Sequence, residues 1–248
     1  MSKGGKNIAA SVRQRLLNRA KADKRPFQEL LQYYAMERFL YRLSQSAHAE
    51  RFILKGALML RVWQAPEARP TMDIDMLGKT DNSPDAIARQ IADILTTPVD
   101  DDGLQFDPAS LQTETIKEDA DYQGVRVRFI GELSGARIKQ QLDIGFGDAL
   151  VPGATRADFP TLLDQPVPNV LCYSRESAIA EKFEAMVKLG DLNSRMKDFY
   201  DIWLLSRQFD FDSALLAEAI RQTFNHRSTS LPEQLPFMGA FAALKQPQ

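Results

Sequence analysis

Asp73 and Asp75 are the residues whose type and spacing most directly point to chemistry. They alternate with Met72, Ile74 and Met76 between Thr71 and Leu77, so a strand here puts the carboxylates on one face and the apolar side chains on the other. Two parallel carboxylates suit an oxygen-loving cation such as Mg²⁺. Alone the pair is a weak signal, because Asp-x-Asp arises by chance and two solvated charges on an open strand are the commoner outcome. A third carboxylate adds weight. Between Arg137 and Phe146, Ile138, Leu142, Ile144 and Phe146 alternate with Lys139, Gln141 and Asp143, which places Asp143 on a polar strand face. Three such carboxylates can hold two cations, activating an attacking hydroxyl and offsetting the charge that builds on a nucleoside triphosphate during in-line transfer. Lys55-Gly56-Ala57 supplies a further part: it follows the apolar run Phe52-Ile53-Leu54 and opens helical spacing from Ala57 to Trp63. A glycine turn at that junction offers backbone N–H groups to phosphates at close range.

The elements that must position these residues follow from periodicity. Ser11 to about Gln45 reads as two helices, one through Val12, Leu16, Leu17 and Ala20 and one after Pro26 through Leu30, Leu31, Tyr34, Phe39, Leu40 and Leu43. Asp85 to Leu95 reads as a helix, Asp100 to Asp121 as an acidic irregular stretch, and Gly124 to Ile130 as a strand with Arg126 and Arg128 on its polar side. Gly131 to Gly135 supplies a turn, and a Pro-rich segment runs from Pro152 to Pro168. Helices follow at Ser174 to Leu189, Arg195 to Ser206 and Ser213 to Phe224, with Ser174 and Gly190 as caps. The expected organisation is α+β: residues 1–165 form N-terminal helices plus an α/β core with a mixed or antiparallel sheet, and residues 166–248 a helical domain.

Composition excludes other classes. A 248-residue chain with 44% hydrophobic residues can bury a core, and 31 basic against 33 acidic residues rule out a generally basic nucleic-acid binder. One cysteine and two histidines cannot build a disulfide framework or a zinc site, so any metal must take oxygen ligands. Cys172 reads as a small buried hydrophobe, His48 and His226 as surface or satisfied residues. No apolar stretch reaches membrane-span length, and Met1 to Ala10 lacks the apolar core of a signal peptide, so a cytoplasmic location without a membrane partner is expected. Neither a P-loop nor a full Gly-x-Gly-x-x-Gly fingerprint occurs.

Several ordered stretches go further: Ser11 to Leu17, Glu37 to Ser44, Phe52-Ile53-Leu54-Lys55-Gly56-Ala57, Arg69-Pro70-Thr71-Met72-Asp73-Ile74-Asp75, Leu142-Asp143-Ile144-Gly145, Glu181 to Met186 and Lys197 to Ile202. Through these the chain resembles the AbiEii/AbiGii toxin family, within the polymerase β-like nucleotidyltransferase superfamily, over residues 11 to about 205. The resemblance implies a polymerase β-like core in which Asp73 and Asp75 bind metal and Asp143 completes the site or acts as base. It implies that Lys55, Gly56, Ala57, Arg69 and Thr71 seat the nucleotide, with Thr71 standing where the family usually has Ser. It also brings Lys182 and Asp198 into the catalytic set. Periodicity alone would have Lys182 snorkel beside the stripe of Ile179, Phe183, Met186 and Val187, and would read Asp198 and Asp201 as ordinary helix ion pairs with Arg195 and Lys197. Where the family often has two glycines or Gly-Ser, this chain has Gly56-Ala57.

The expected function is therefore transfer of NMP from an NTP to a hydroxyl, assisted by Mg²⁺, with two ions expected from the resemblance, by the toxin of a toxin–antitoxin or phage-defence pair. The resemblance points to RNA, the tRNA 3′ end in particular, as acceptor, with a cognate antitoxin as partner. Residues 1–25 carry eight basic residues against one acid, a net +7 that a −9 remainder conceals, and such an arm can grip a phosphate backbone or serve as a solvated helix face. Two alternatives stay open: a glycosyltransferase using Asp-x-Asp to hold a nucleotide sugar, which would demand neither Asp143 nor Lys182 with Asp198, and a non-catalytic module of the same fold.

Overall fold

The computed structural model describes residues 7–65, 70–119, 122–190 and 196–234. The chain divides into two units, Met1–Gly147 with Arg156–Cys172, and Asp148–Thr155 with Tyr173–Gln248.

The first unit opens with α1 (Ile8–Asp23), capped by Asn7, whose side chain accepts from the Ala10 N–H at 3.0 Å. Pro26 presets the entry to α2 (Phe27–Gln45). Every residue of α2 from Leu30 to Leu40 is buried, so this is a core helix with no water-facing stripe over three turns. That burial takes in Gln32, Glu37 and Arg38, which must find partners inside the protein.

The strands are β1 (Phe52–Lys55), β2 (Asp73–Gly78), β3 (Leu104–Asp119), β4 (Tyr122–Leu133), β5 (Ala136–Phe146), β6 (Thr155–Asp158) and β7 (Asn169–Cys172). They form one mixed sheet in the order β3-β4-β5-β2-β1-β7-β6. The hairpin between β4 and β5 turns on Ser134 (φ 47°) and Gly135 (φ 79°), both left-handed as a two-residue type I′ turn requires. Its register pairs Val127 with Leu142 and Val125 with Ile144 on the buried face, and Arg126 with Asp143 and Arg128 with Gln141 on the other. β5 runs parallel to β2, with Asp73 opposite Gln141 and Asp75 opposite Asp143, and β1 pairs with the far side of β2. Helix α4 (Pro84–Leu95) starts at the Ser83 cap and buries Ile87, Ile91 and Ile94.

Four expectations are corrected. The acidic stretch is largely strand β3, an edge strand bonded only to β4 and mostly exposed, so it lacks the apolar alternation that marks a half-buried strand. Met72 does not share the buried face of Ile74 and Met76: it precedes β2 and is 48% exposed. The helix expected from Ala57 shortens to a 3-10 turn at Gly56–Leu58 and one α turn, α3 (Met59–Val62). The segment beyond Pro152 contains β6 and leads into β7, where Cys172 is buried as expected and burial pushes its thiol up to about 12.

In the second unit, α5 (Arg175–Leu189) begins at Ser174, which accepts from the Ser177 N–H at 3.1 Å, and ends at Gly190 in a positive-φ conformation. It is followed by α6 (Met196–Gln208) and α7 (Ser213–His226). Ala180 and Ala219 are small enough to let α5 and α7 approach, with Val151 buried against them and the Phe183 and Phe224 rings 5.5 Å apart. No helix among the described residues is long and apolar enough to cross a membrane.

Candidate active site

In the first unit the sheet register assembles one polar face. Asp73 and Asp75 project from β2, Gln141 and Asp143 stand opposite them on β5, and Arg128 and Arg126 stand opposite those on β4. Strand geometry alone produces this arrangement, because directly paired residues share a face.

Gly56 closes the other side. Its φ is +70°, and a Cβ built there would overlap the Asp75 carboxylate, lying 2.7 Å from Cγ and 2.8 Å from Cβ as well as against Oδ2. Only glycine lets the backbone after β1 pass this close to a carboxylate in a left-handed conformation. Lys55, opposite Asp75 in the register, is buried, and Ala57 lies in the 3-10 turn. A helix as short as α3 contributes little dipole, so anything gained here by a phosphate comes from individual N–H groups.

Asp143 is held differently from its two companions. Arg126 donates from Nε to Oδ1 and from Nη2 to Oδ2, both at 2.8 Å, in a bidentate fork. Gln141 Nε2 adds a bond to Oδ2 at 3.3 Å. The hydrogen bond to Asp143 is the main reason the Arg126 guanidinium is held above its ordinary pKa, with the charges of Asp143, Glu114 and Asp73 reinforcing it against desolvation.

The mouth of this face is fastened from the core helix. The buried Gln32 side chain donates from Nε2 to the carbonyl of Met72 at 3.1 Å and to that of Lys139 at 3.0 Å, tying the start of β2 to β5. Tyr33 Oη accepts from the Thr71 N–H at 3.1 Å, and the Thr71 hydroxyl reaches the Asp73 carbonyl at 3.4 Å. Thr71 is thus placed at the entrance to the carboxylate strand. Arg69 lies outside the described residues.

As a test for a cation, the donor chemistry fits in part. Asp73 and Asp75 are hard oxygen donors of the kind Mg²⁺ prefers, and the Gly56 backbone lies directly against the Asp75 carboxylate. Asp143 has both oxygens committed to Arg126, and among the described residues no three His, Cys, Asp or Glu side chains gather closely enough to hold a metal.

The second unit carries the other expected residues. Lys182 Nζ lies 3.1 Å from Asp198 Oδ1 and 2.8 Å from Asp201 Oδ2. Burial works against the lysine's charge, but Asp201 and Asp198 outweigh it and raise its pKa above the usual value. Lys182 is therefore not a snorkelling surface residue, and the expected pairing of Lys197 with Asp201 gives way to a contact across two helices. Beside it, Arg227 donates to Glu184 at 3.0 Å and to Asp148 at 2.9 Å, binding α7 to α5 and to the segment before it.

Three residues of these arrangements were missed by sequence reasoning. Arg126 was accessible in principle: centring the hairpin on Ser134 and Gly135 pairs 126 with 143 by counting outward. Asp201 sits one helical turn from Asp198 and had the spacing to share its partner. Gln32 carried no signal beyond a polar residue inside an apolar run.

Residues 38–247 match the family model described as nucleotidyl transferase AbiEii toxin, type IV toxin–antitoxin system. No curated protein matches. Among solved structures the chain is similar to JHP933 from Helicobacter pylori, at 15% identity over 80% of this chain and 79% of that one, with a TM-score of 0.47. It is also similar to an antigenic nucleotidyltransferase-like protein from Paracoccidioides brasiliensis, at 15% identity over 77% of this chain and 90% of that one, with a TM-score of 0.40. The family match extends from the core helix through the Asp-x-Asp strand to the end of the helical unit, and the chain belongs to the AbiEii family of nucleotidyl transferase toxins of type IV toxin–antitoxin systems.

Proposed function

We propose that the protein transfers NMP from an NTP to a hydroxyl of an RNA acceptor, tRNA 3′ ends being the acceptor class that the resemblance favours. The observation that carries this reading is the passage of the Gly56 backbone directly against Asp75, two residues from Asp73 on the same face of the strand. A phosphate chain binding beside carboxylates needs backbone N–H groups and a counter-ion, and a glycine turn against a pair of carboxylates can present the first and hold the second. Asp73 and Asp75 would hold Mg²⁺, which when bound would offset the charge of the triphosphate.

The chain's own residues have distinct tasks. Gly56 and Ala57 present backbone N–H groups, Lys55 adds positive charge behind them, and Thr71 steadies the entrance to the strand. The acceptor oxygen bonds to the α-phosphorus, the bridging oxygen leaves with pyrophosphate, and the hydroxyl proton passes to the carboxylate face, where Asp143 is the candidate acceptor. Lys182, kept charged by Asp198 and Asp201, is proposed as a member of the catalytic set, as the resemblance implies. A cognate antitoxin is the expected protein partner.

The test is incubation of the purified protein with each radiolabelled NTP, Mg²⁺ and total RNA. Label is expected to move onto RNA with wild type, and the Asp73→Asn variant is expected to lose at least about 100-fold in rate. Absence of label from every NTP would overturn the transferase reading, and an Asp73→Asn variant as active as wild type would overturn the site assignment.

A further inference from the structure

The polar face of the sheet carries a row of charge that crosses from β3 to β1. Glu114 on β3 stands opposite Arg126 on β4, Arg126 opposite Asp143 on β5, Asp143 opposite Asp75 on β2, and Asp75 opposite Lys55 on β1. Residues paired directly in a ladder share a face, so the register sets a guanidinium between Glu114 and Asp143, in line with the carboxylate strand β2. Arg126 is engaged from both sides. Its fork on Asp143 has both bonds at 2.8 Å, and its Nη1 lies 3.7 Å from Glu114 Oε1. Glu114 is itself held by Arg128 Nη2 at 3.0 Å, so the fork is buttressed from the edge of the sheet.

This arrangement bears on how many cations the face can take. An ionised carboxylate has about four lone-pair sites. On Asp143 the Arg126 fork takes one on each oxygen, and Gln141 Nε2 takes another on Oδ2 at 3.3 Å, so most of them are filled by donors of this chain. The guanidinium also carries a charge that does not titrate away, and it repels any cation that approaches Asp143. The Asp143 side chain is only 14% exposed and that of Arg126 29%, so salt and water screen the repulsion weakly. The charge of Asp73 bears on the same guanidinium, which places Arg126 within the field of the whole carboxylate face. Resting on the transferase reading above, we infer that Arg126 stands in for a second metal ion: Asp73 and Asp75 hold one divalent cation, and the guanidinium supplies the positive charge beside Asp143. Arg126 is then a positioning residue that fixes Asp143 on the face and sets the metal requirement of the site.

The test counts bound ions rather than turnover. Mn²⁺ is titrated into the full-length protein in the absence of nucleotide, and the free ion is read from its paramagnetic resonance signal. Wild type is expected to bind one ion per chain, and Arg126→Gln, which removes the charge beside Asp143, to bind two. Adding Asp143→Asn to Arg126→Gln should return the count to one, and Arg126→Lys, which keeps a positive charge, should stay at one. Two ions on wild type overturn the proposal without using any variant, so a failure of Arg126→Gln to fold does not protect it. Equal counts in wild type and Arg126→Gln also overturn it, as does a second ion that survives Asp143→Asn or that enters Arg126→Lys. The outcome is separable from the transferase reading, which fails only if no NTP labels RNA.

Discussion

Gly56→Ala is the sharpest single perturbation of the site, because Gly135 provides an internal reference. Both glycines have left-handed φ, +70° and +79°, but a Cβ at Gly135 would meet nothing within 4 Å, whereas one at Gly56 would overlap Asp75. Placing an L-residue in this region costs about 1–2 kcal/mol, and replacing glycine returns about 0.4–1 kcal/mol through the unfolded chain. Gly135→Ala should therefore lose only about 1 kcal/mol. At Gly56 the added methyl must also displace Asp75, whose strand is bonded on both sides to β1 and β5, and overpacking of this kind costs about 1–3 kcal/mol. The difference between the variants should be about 2 kcal/mol, read from urea midpoints at equal m-values. A carboxylate moved by about 1 Å should lower NMP transfer by about 100-fold in the Gly56 variant and leave the Gly135 variant near wild type. Equal stability losses in the two variants, or full activity of Gly56→Ala, would refute the claim that this glycine exists to admit Asp75.

Lys182→Ala should destabilise the protein by about 2–4 kcal/mol, because it removes the cation shared by Asp198 and the buried Asp201, and Asp198→Ala should cost less because the 2.8 Å contact to Asp201 survives; equal losses in thermal unfolding would contradict this ranking. The same lysine, with its pKa raised in the folded state, contributes stability that is present below its ordinary value near 10.5 and lost as pH rises through the folded value. Glu37 behaves in the opposite range: burial, opposed by Arg38, pushes its carboxyl from 4.5 up to about 7, so the folded state keeps a proton that the unfolded state has released. Stability should accordingly fall by up to about 3 kcal/mol between pH 4.5 and 7, and Glu37→Gln should flatten that part of the Tm–pH profile; parallel profiles would show that Glu37 is not the group responsible.

The parts of the molecule that sequence made readable are those where local pattern and burial coincide. Ile74 and Met76 under one face of β2, and Leu142 and Ile144 under β5, betray half-buried strands and so place Asp73, Asp75 and Asp143 on the opposite face. The caps at Ser174 and Gly190 bound α5 because capping is local chemistry. β3 was hidden for the converse reason: an edge strand exposed along most of its length needs no apolar alternation, and Pro108 lies where the ladder to β4 shifts register between Asp107 and Gln112. The partners of the site residues were hidden by distance. Gln32 meets Lys139 across 107 positions, and Lys182 meets Asp198 from another helix, so neither contact leaves a periodic trace.

The parallel pairing of β2 with β5 has a consequence for the order in which the carboxylate face is assembled. Asp75 and Asp143 are register neighbours, yet the chain between them must first traverse α4, β3 and β4 before β5 can insert beside β2. During synthesis, the first two carboxylates emerge long before the strand that lines the rest of their face, and Gln32 has only one of its two carbonyls to bind until Lys139 arrives. Non-local pairing of this kind is slow to form. A ribosome-bound fragment ending before residue 136 lacks β5 altogether, so the assembled carboxylate face belongs only to chains whose synthesis has passed beyond the hairpin.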